Sequence, residues 1–128
     1  MRNFKIQTNY FSIEFDSKES FLNFSGEFYT TEDTIETYKP VFEMLDKKFS
    51  NPGNYLSLNF KVKECFSHVN SSMFLKILEQ SCKYQNEKEG QIEVNWYYHR
   101  DDENVFYGGE EFVEIFEGKL NIELIQID

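Results

Sequence analysis

The chain has 128 residues, enough for one domain and too few for two of ordinary size. Fourteen Phe, eight Tyr and one Trp supply the apolar bulk of a real core, which argues against a disordered chain. A formal net charge of −10 argues against binding to nucleic acid or an anionic membrane, because both need clustered Lys and Arg, and leaves a basic protein patch as a compatible partner.

Residues 11–15 (Phe11, Ser12, Ile13, Glu14, Phe15) alternate apolar and polar, the period of a half-buried strand. Asp16 to Ser20 reads as a turn, and Phe21 to Ser25 resumes the strand pattern, so the two runs form an antiparallel hairpin. A further strand at Phe4–Thr8 is compatible with the sequence. The polar run Thr30 to Thr34 can cap a helix. Ile35, Tyr38, Phe42, Leu45 and Phe49 then make one apolar stripe, which predicts a helix over 33–49, kinked or started at Pro40. Asn51-Pro52-Gly53 ends it.

Leu56, Leu58, Phe60 and Val62 alternate with Ser57, Asn59, Lys61 and Lys63, predicting a strand within 55–66. A second helix is expected over 70–84, then a polar loop over 86–90. Ile92, Val94, Trp96 and Tyr98 mark another strand. Asp101-Asp102-Glu103-Asn104 reads as an acidic loop, 110–116 as a short helix and 120–127 as a last strand. The order β-β-α-β-α-β-α-β predicts one α/β domain over 1–128. It has a single mixed sheet of four to six strands, parallel where helices intervene, with helices covering it.

The two cysteines make a poor disulfide framework; Cys65 and Cys82 read as buried thiols in a reducing compartment. The N-terminus has no apolar leader, and no apolar run reaches the length of a membrane span, so a cytoplasmic protein is expected.

No motif predicts a self-contained catalytic site. His68 lies beside Ser67 and near Ser71 and Ser72, but no nucleophile elbow accompanies them. Gly108-Gly109 lacks the P-loop lysine and serves to start the last helix. The acids 101–103 lack EF-hand spacing and read as a solvated turn, so no metal and no cofactor is expected. The stretch Ser67 to Ser72 is different. It follows a core strand and opens a helix, where unpaired N–H groups and the positive end of the helix dipole favour an added anion. A phosphate there would change what can dock.

Specific stretches resemble the SiaC family of bacterial regulatory phosphoproteins. These are Val94-Asn95-Trp96-Tyr97-Tyr98, the acidic turn 101–103 and Gly109-Glu110-Glu111-Phe112, supported by 11–15, Gly26-Glu27-Phe28-Tyr29, Lys39-Pro40-Val41 and Leu75-Lys76-Ile77-Leu78. The resemblance runs from about Tyr10 to Ile125. It implies a fold like that of anti-sigma-factor antagonist (STAS-like) domains and a non-enzymatic partner switch. In that family a kinase phosphorylates a Thr at the start of the second helix, and a metal-dependent phosphatase reverses it. The unphosphorylated form binds a diguanylate cyclase and promotes cyclic-di-GMP synthesis, an output tied to biofilm. An ungapped match places Ser67 on the family's Asn, His68 on the phosphorylated Thr, and Val69 and Asn70 on two serines. The usual hydroxyl acceptor is then missing, and the family's Y-P-E-N stretch is altered to Tyr29-Thr30-Thr31-Glu32. Ser67, His68, Ser71 and Ser72 are the phosphorylation and partner-binding candidates.

Two rival readings make different demands. A small-molecule binder or enzyme near His68 needs a deep pocket with converging polar groups. An assembly subunit would use exposed aromatics such as Tyr97, Tyr98 or Tyr107.

Overall fold

Alternation along each strand decides which face of the sheet is buried. The computed structural model describes residues 1–128, apart from the side chains of residues 64–66. Six strands form the sheet: β1 (Phe4–Gln7), β2 (Phe11–Asp16), β3 (Phe21–Phe28), β4 (Tyr55–Phe66), β5 (Gln91–His99) and β6 (Ile122–Ile127). They lie in chain order, β1-β2-β3-β4-β5-β6. The first three are antiparallel neighbours and the last four are parallel. The strand at Phe4–Gln7 makes the count six.

Four helices connect or precede the parallel strands: α1 (Thr34–Thr37), α2 (Lys39–Lys48), α3 (His68–Glu87) and α4 (Glu103–Ile115). Right-handed crossovers that always step in the same direction put every helix on the same face of the sheet. Registered pairs build two apolar rows on that face. One runs Phe4, Phe15, Leu22, Leu58, Val94, Ile122, and the other runs Ile6, Ile13, Phe24, Phe60, Trp96, Leu124. The opposite face is open and polar. Its central row is Lys5, Glu14, Asn23, Asn59, Asn95, Glu123. Asn95 donates to Asn59 at 2.9 Å and Asn59 donates to Asn23 at 2.9 Å, a ladder of side-chain amides across three strands.

The core is ring-rich. Phe74 on α3 meets Phe24 and Phe28 of β3, Phe60 of β4 and Trp96 of β5 with centroids 5.1 to 6.3 Å apart. Such tilted and edge-on pairs add to area burial.

Several expectations need correction. The helix over 33–49 is two helices. Tyr38 caps α2, and Pro40 sits in its first turn, where a missing N–H is harmless. The buried stripe is Tyr38, Val41, Met44 and Leu45, whereas Ile35 is 66% exposed. The second helix is longer than 70–84: its first turn is polar yet helical, and it runs on through Asn86 and Glu87. The last helix begins at Glu103 and not at 110. The acidic turn is its cap, since Asp102 Oδ1 accepts the Val105 N–H at 3.3 Å. Gly108 and Gly109 therefore lie inside α4. Gly109 is there for contact: a Cβ on it would stand 2.6 Å from Trp96 Nε1. The last strand starts at Ile122, two residues later than the expected start, although Leu120 is buried before it. Cys82 is a free, half-buried thiol on α3, less enclosed than expected, because its position lies beside the core stripe. Cys65 falls among the side chains not described.

Candidate functional site

The start of α3 is fastened from below. Ser67 leaves β4 in extended conformation (φ −69°, ψ 162°) and caps the helix. Its Oγ accepts from the Asn70 N–H at 3.2 Å and from Asn70 Nδ2 at 2.8 Å. Asn70 is 1% exposed. Its Nδ2 also donates to the Phe28 carbonyl at 2.9 Å, and its Oδ1 accepts the Tyr38 hydroxyl at 2.6 Å. The Ser67 N–H donates to the same Phe28 carbonyl at 3.1 Å. Tyr38 is fully buried, and desolvation pushes its hydroxyl far above the ordinary tyrosine range, so it stays a donor. One amide thus ties three segments together: the end of β3, the α1–α2 junction and the start of α3.

Above this anchor His68 is exposed, while Ser67, Ser71 and Ser72 are half-buried. His68, Ser71 and Ser72 stand three and four residues apart and share one helix face. The four candidate residues are therefore brought together at the C-terminal edge of the sheet. The electrostatics there are unusual for an acidic chain. The first turn of α3 contains no acidic residue, whereas α4 has Asp102 as its cap and Glu103 in its first turn. The positive end of the α3 dipole therefore has no carboxylate from its own first turn to offset it.

Reasoning from sequence missed Asn70 and Tyr38. The signal was present, because Asn70, Phe74, Ile77, Ser81 and Tyr84 continue one buried stripe at helical spacing.

The rival pocket at His68 finds no support. None of five surface hollows among the described residues is lined by Ser67, His68, Ser71 or Ser72. Three or more His, Cys, Asp or Glu side chains placed to hold a metal are not found among the described residues. No described helix is long and apolar enough to cross a membrane. Of the aromatics considered for assembly, Tyr107 is 55% exposed, while Tyr97 and Tyr98 are half-buried, Tyr98 beside the Phe106 ring.

A sheet covered on one side, with a stiffly anchored helix start presenting hydroxyls and a histidine, is the build of an α/β regulatory domain that works through its surface. The SiaC family model, described as "SiaC family regulatory phosphoprotein", matches residues 5–127. The chain belongs to that family. Solved structures agree in fold. SiaC of Pseudomonas aeruginosa superposes with a TM-score of 0.79 at 18% identity, covering 100% of this chain and 98% of that one. A crystal structure of the diguanylate cyclase SiaD in complex with its activator SiaC, from the same organism, gives a TM-score of 0.83 at 19% identity over 97% of this chain and 99% of that one. Apo-SiaC gives 0.76 at 16% identity, with both chains covered completely. No curated protein matches the chain.

Proposed function

We propose that this protein is a non-enzymatic signalling switch whose α3 start docks a partner protein. The observation that carries the reading is the anchored, carboxylate-free first turn of α3 with His68, Ser71 and Ser72 on one face. A rigid surface limits the entropy lost on docking. The positive helix end makes that surface sensitive to an added phosphate. The P. aeruginosa complex of SiaC with SiaD supports a diguanylate cyclase as the partner class. The family description supports control by phosphorylation. The resemblance implies that a kinase and a metal-dependent phosphatase in the cytoplasm exert that control.

Phosphate has different consequences at the different acceptors. On Ser67 it would displace the two bonds from Asn70 and unfasten the helix start. On His68, Ser71 or Ser72 it would add charge to the docking face and leave the anchor in place. Incubation with the cognate kinase and ATP, followed by phosphosite mapping, tests the switch. A phosphate between Ser67 and Ser72 that reduces partner capture supports it. Phosphorylation confined to other positions refutes it. For docking itself, His68→Glu is expected to weaken capture of the cyclase while the fold is retained. Unchanged capture would move the interface elsewhere.

A further inference from the structure

The open face of the sheet carries a hollow of its own. At the C-terminal ends of the parallel strands lies a hollow of about 260 Å³ lined by Ser25, Lys61, Lys63, Tyr97 and His99. Ser25 and Lys61 are registered partners on β3 and β4. Lys61 Nζ lies 5.2 Å from the Tyr97 ring centroid, which holds the ammonium over the aromatic face. Among the described residues no acidic side chain lines this hollow. Asp101 and Asp102 sit in the adjoining hollow, which shares Lys63 and His99, and Asp102 is turned to α4 as its cap. Among the described residues the ion pair found is Lys39 with Glu36, so no described carboxylate lies within ion-pair distance of Lys61 or Lys63.

In a chain of net charge −10, two lysines, a histidine and two hydroxyl groups around one concavity form a local reversal of sign. Charges beyond about 10 Å are largely screened at moderate salt, so a small anion feels the lysines and not the net charge. A long polyanion would meet the acidic remainder of the surface. The donors outnumber what one carboxylate can accept, and two full positive charges suit a dianion. We propose that this hollow binds a phosphoryl dianion, as free phosphate or at the end of a small monoester. The volume holds a phosphoryl group with a short carbon skeleton and lies below the usual range for larger ligands. The site is on the face opposite α3, and the proposal does not depend on the switch described above.

The test is an amide NMR titration of the intact chain at constant ionic strength. The probes are inorganic phosphate, glycerol phosphate and, as control, acetate. Saturable shifts at Ser25, Lys61, Lys63, Tyr97 and His99 with a Kd of about 1 mM are expected for the phosphoryl probes and none for acetate. Tighter binding of glycerol phosphate identifies the ligand as a monoester; tighter binding of phosphate identifies the free ion. Lys61→Gln/Lys63→Gln should weaken binding at least about tenfold with the remaining spectrum unchanged, since Lys61 and Lys63 are exposed. Absence of saturable shifts, an equal response to acetate, shifts centred on 67–72, or undiminished binding by the double variant would each overturn the proposal.

Discussion

Replacing Asn70 with Ala removes the amide that joins three segments, and its cost can be worked from its partners. The Tyr38 hydroxyl loses the acceptor at 2.6 Å and is left buried. An orphaned buried hydroxyl costs about 1 to 3 kcal/mol. The Phe28 carbonyl keeps the Ser67 N–H, so its loss is smaller, about 1 kcal/mol. Asn70→Ala should therefore destabilise the domain by about 2 to 4 kcal/mol. Tyr38→Phe leaves Asn70 Oδ1 without that donor and should cost about 1 to 2 kcal/mol. In the double variant the orphaned hydroxyl is gone, so the combined loss falls short of the sum by about 1 to 2 kcal/mol. Urea unfolding followed by fluorescence of the single tryptophan, with far-UV circular dichroism as a second probe, measures all three. Hydrogen exchange of the amides from Ser71 to Phe74 should accelerate before global unfolding. Additive losses, or single variants within about 0.5 kcal/mol of the parent, would refute the view that this amide anchors the helix start.

Gly109→Ala should be destabilising by about 1 to 3 kcal/mol through overpacking despite the gain of about 1 kcal/mol in helix propensity, because the methyl meets Trp96; an unchanged urea midpoint would show that α4 is not seated on that ring. Gly26→Ala should also destabilise the domain, since φ is 114° and a Cβ would strike the Tyr10 carbonyl; thermal unfolding reads the loss. Ser67→Ala removes the α3 cap and should cost about 1 kcal/mol in chemical unfolding. On the open face, hydrogen bonds from Tyr55 and then Asn95 hold the Glu93 carboxyl below its ordinary value of 4.5. A depressed folded value gives stability that is present above the unfolded value and lost as pH falls through the folded one. Tyr55→Phe should raise the Glu93 midpoint in a carboxyl NMR titration and shrink that acid-side loss; an unmoved midpoint would remove Tyr55 as the cause.

Much of this architecture follows from period-two alternation, which placed the hairpin and the central strands and put Trp96 in the core. Helix limits were less legible where a residue's role depends on a distant partner. Gly108-Gly109 read as a helix start because a glycine's local effect is to loosen the chain, whereas Gly109 answers to the Trp96 ring thirteen residues away. Asp102 read as part of a solvated turn, yet it caps α4. Asn70, matched to one of the family's serines, showed no local sign of its anchoring role, because its partners include Phe28 and Tyr38, far away in the chain. The candidate surface at 67–72 was legible as a position. Its anchoring was not, because hydrogen bonds spanning 32 and 42 residues leave no local pattern.

The unbroken order of the strands bears on how the molecule comes into being. Each newly made strand pairs with the one made just before it, so the sheet can lengthen from one end as the chain emerges. The ring of Phe74, however, waits for Trp96, the last of its named neighbours to be synthesised. Backbone pairing can therefore run ahead of the interior, whose ring cluster is complete only with β5 and whose last apolar surface is covered only when α4 and β6 follow.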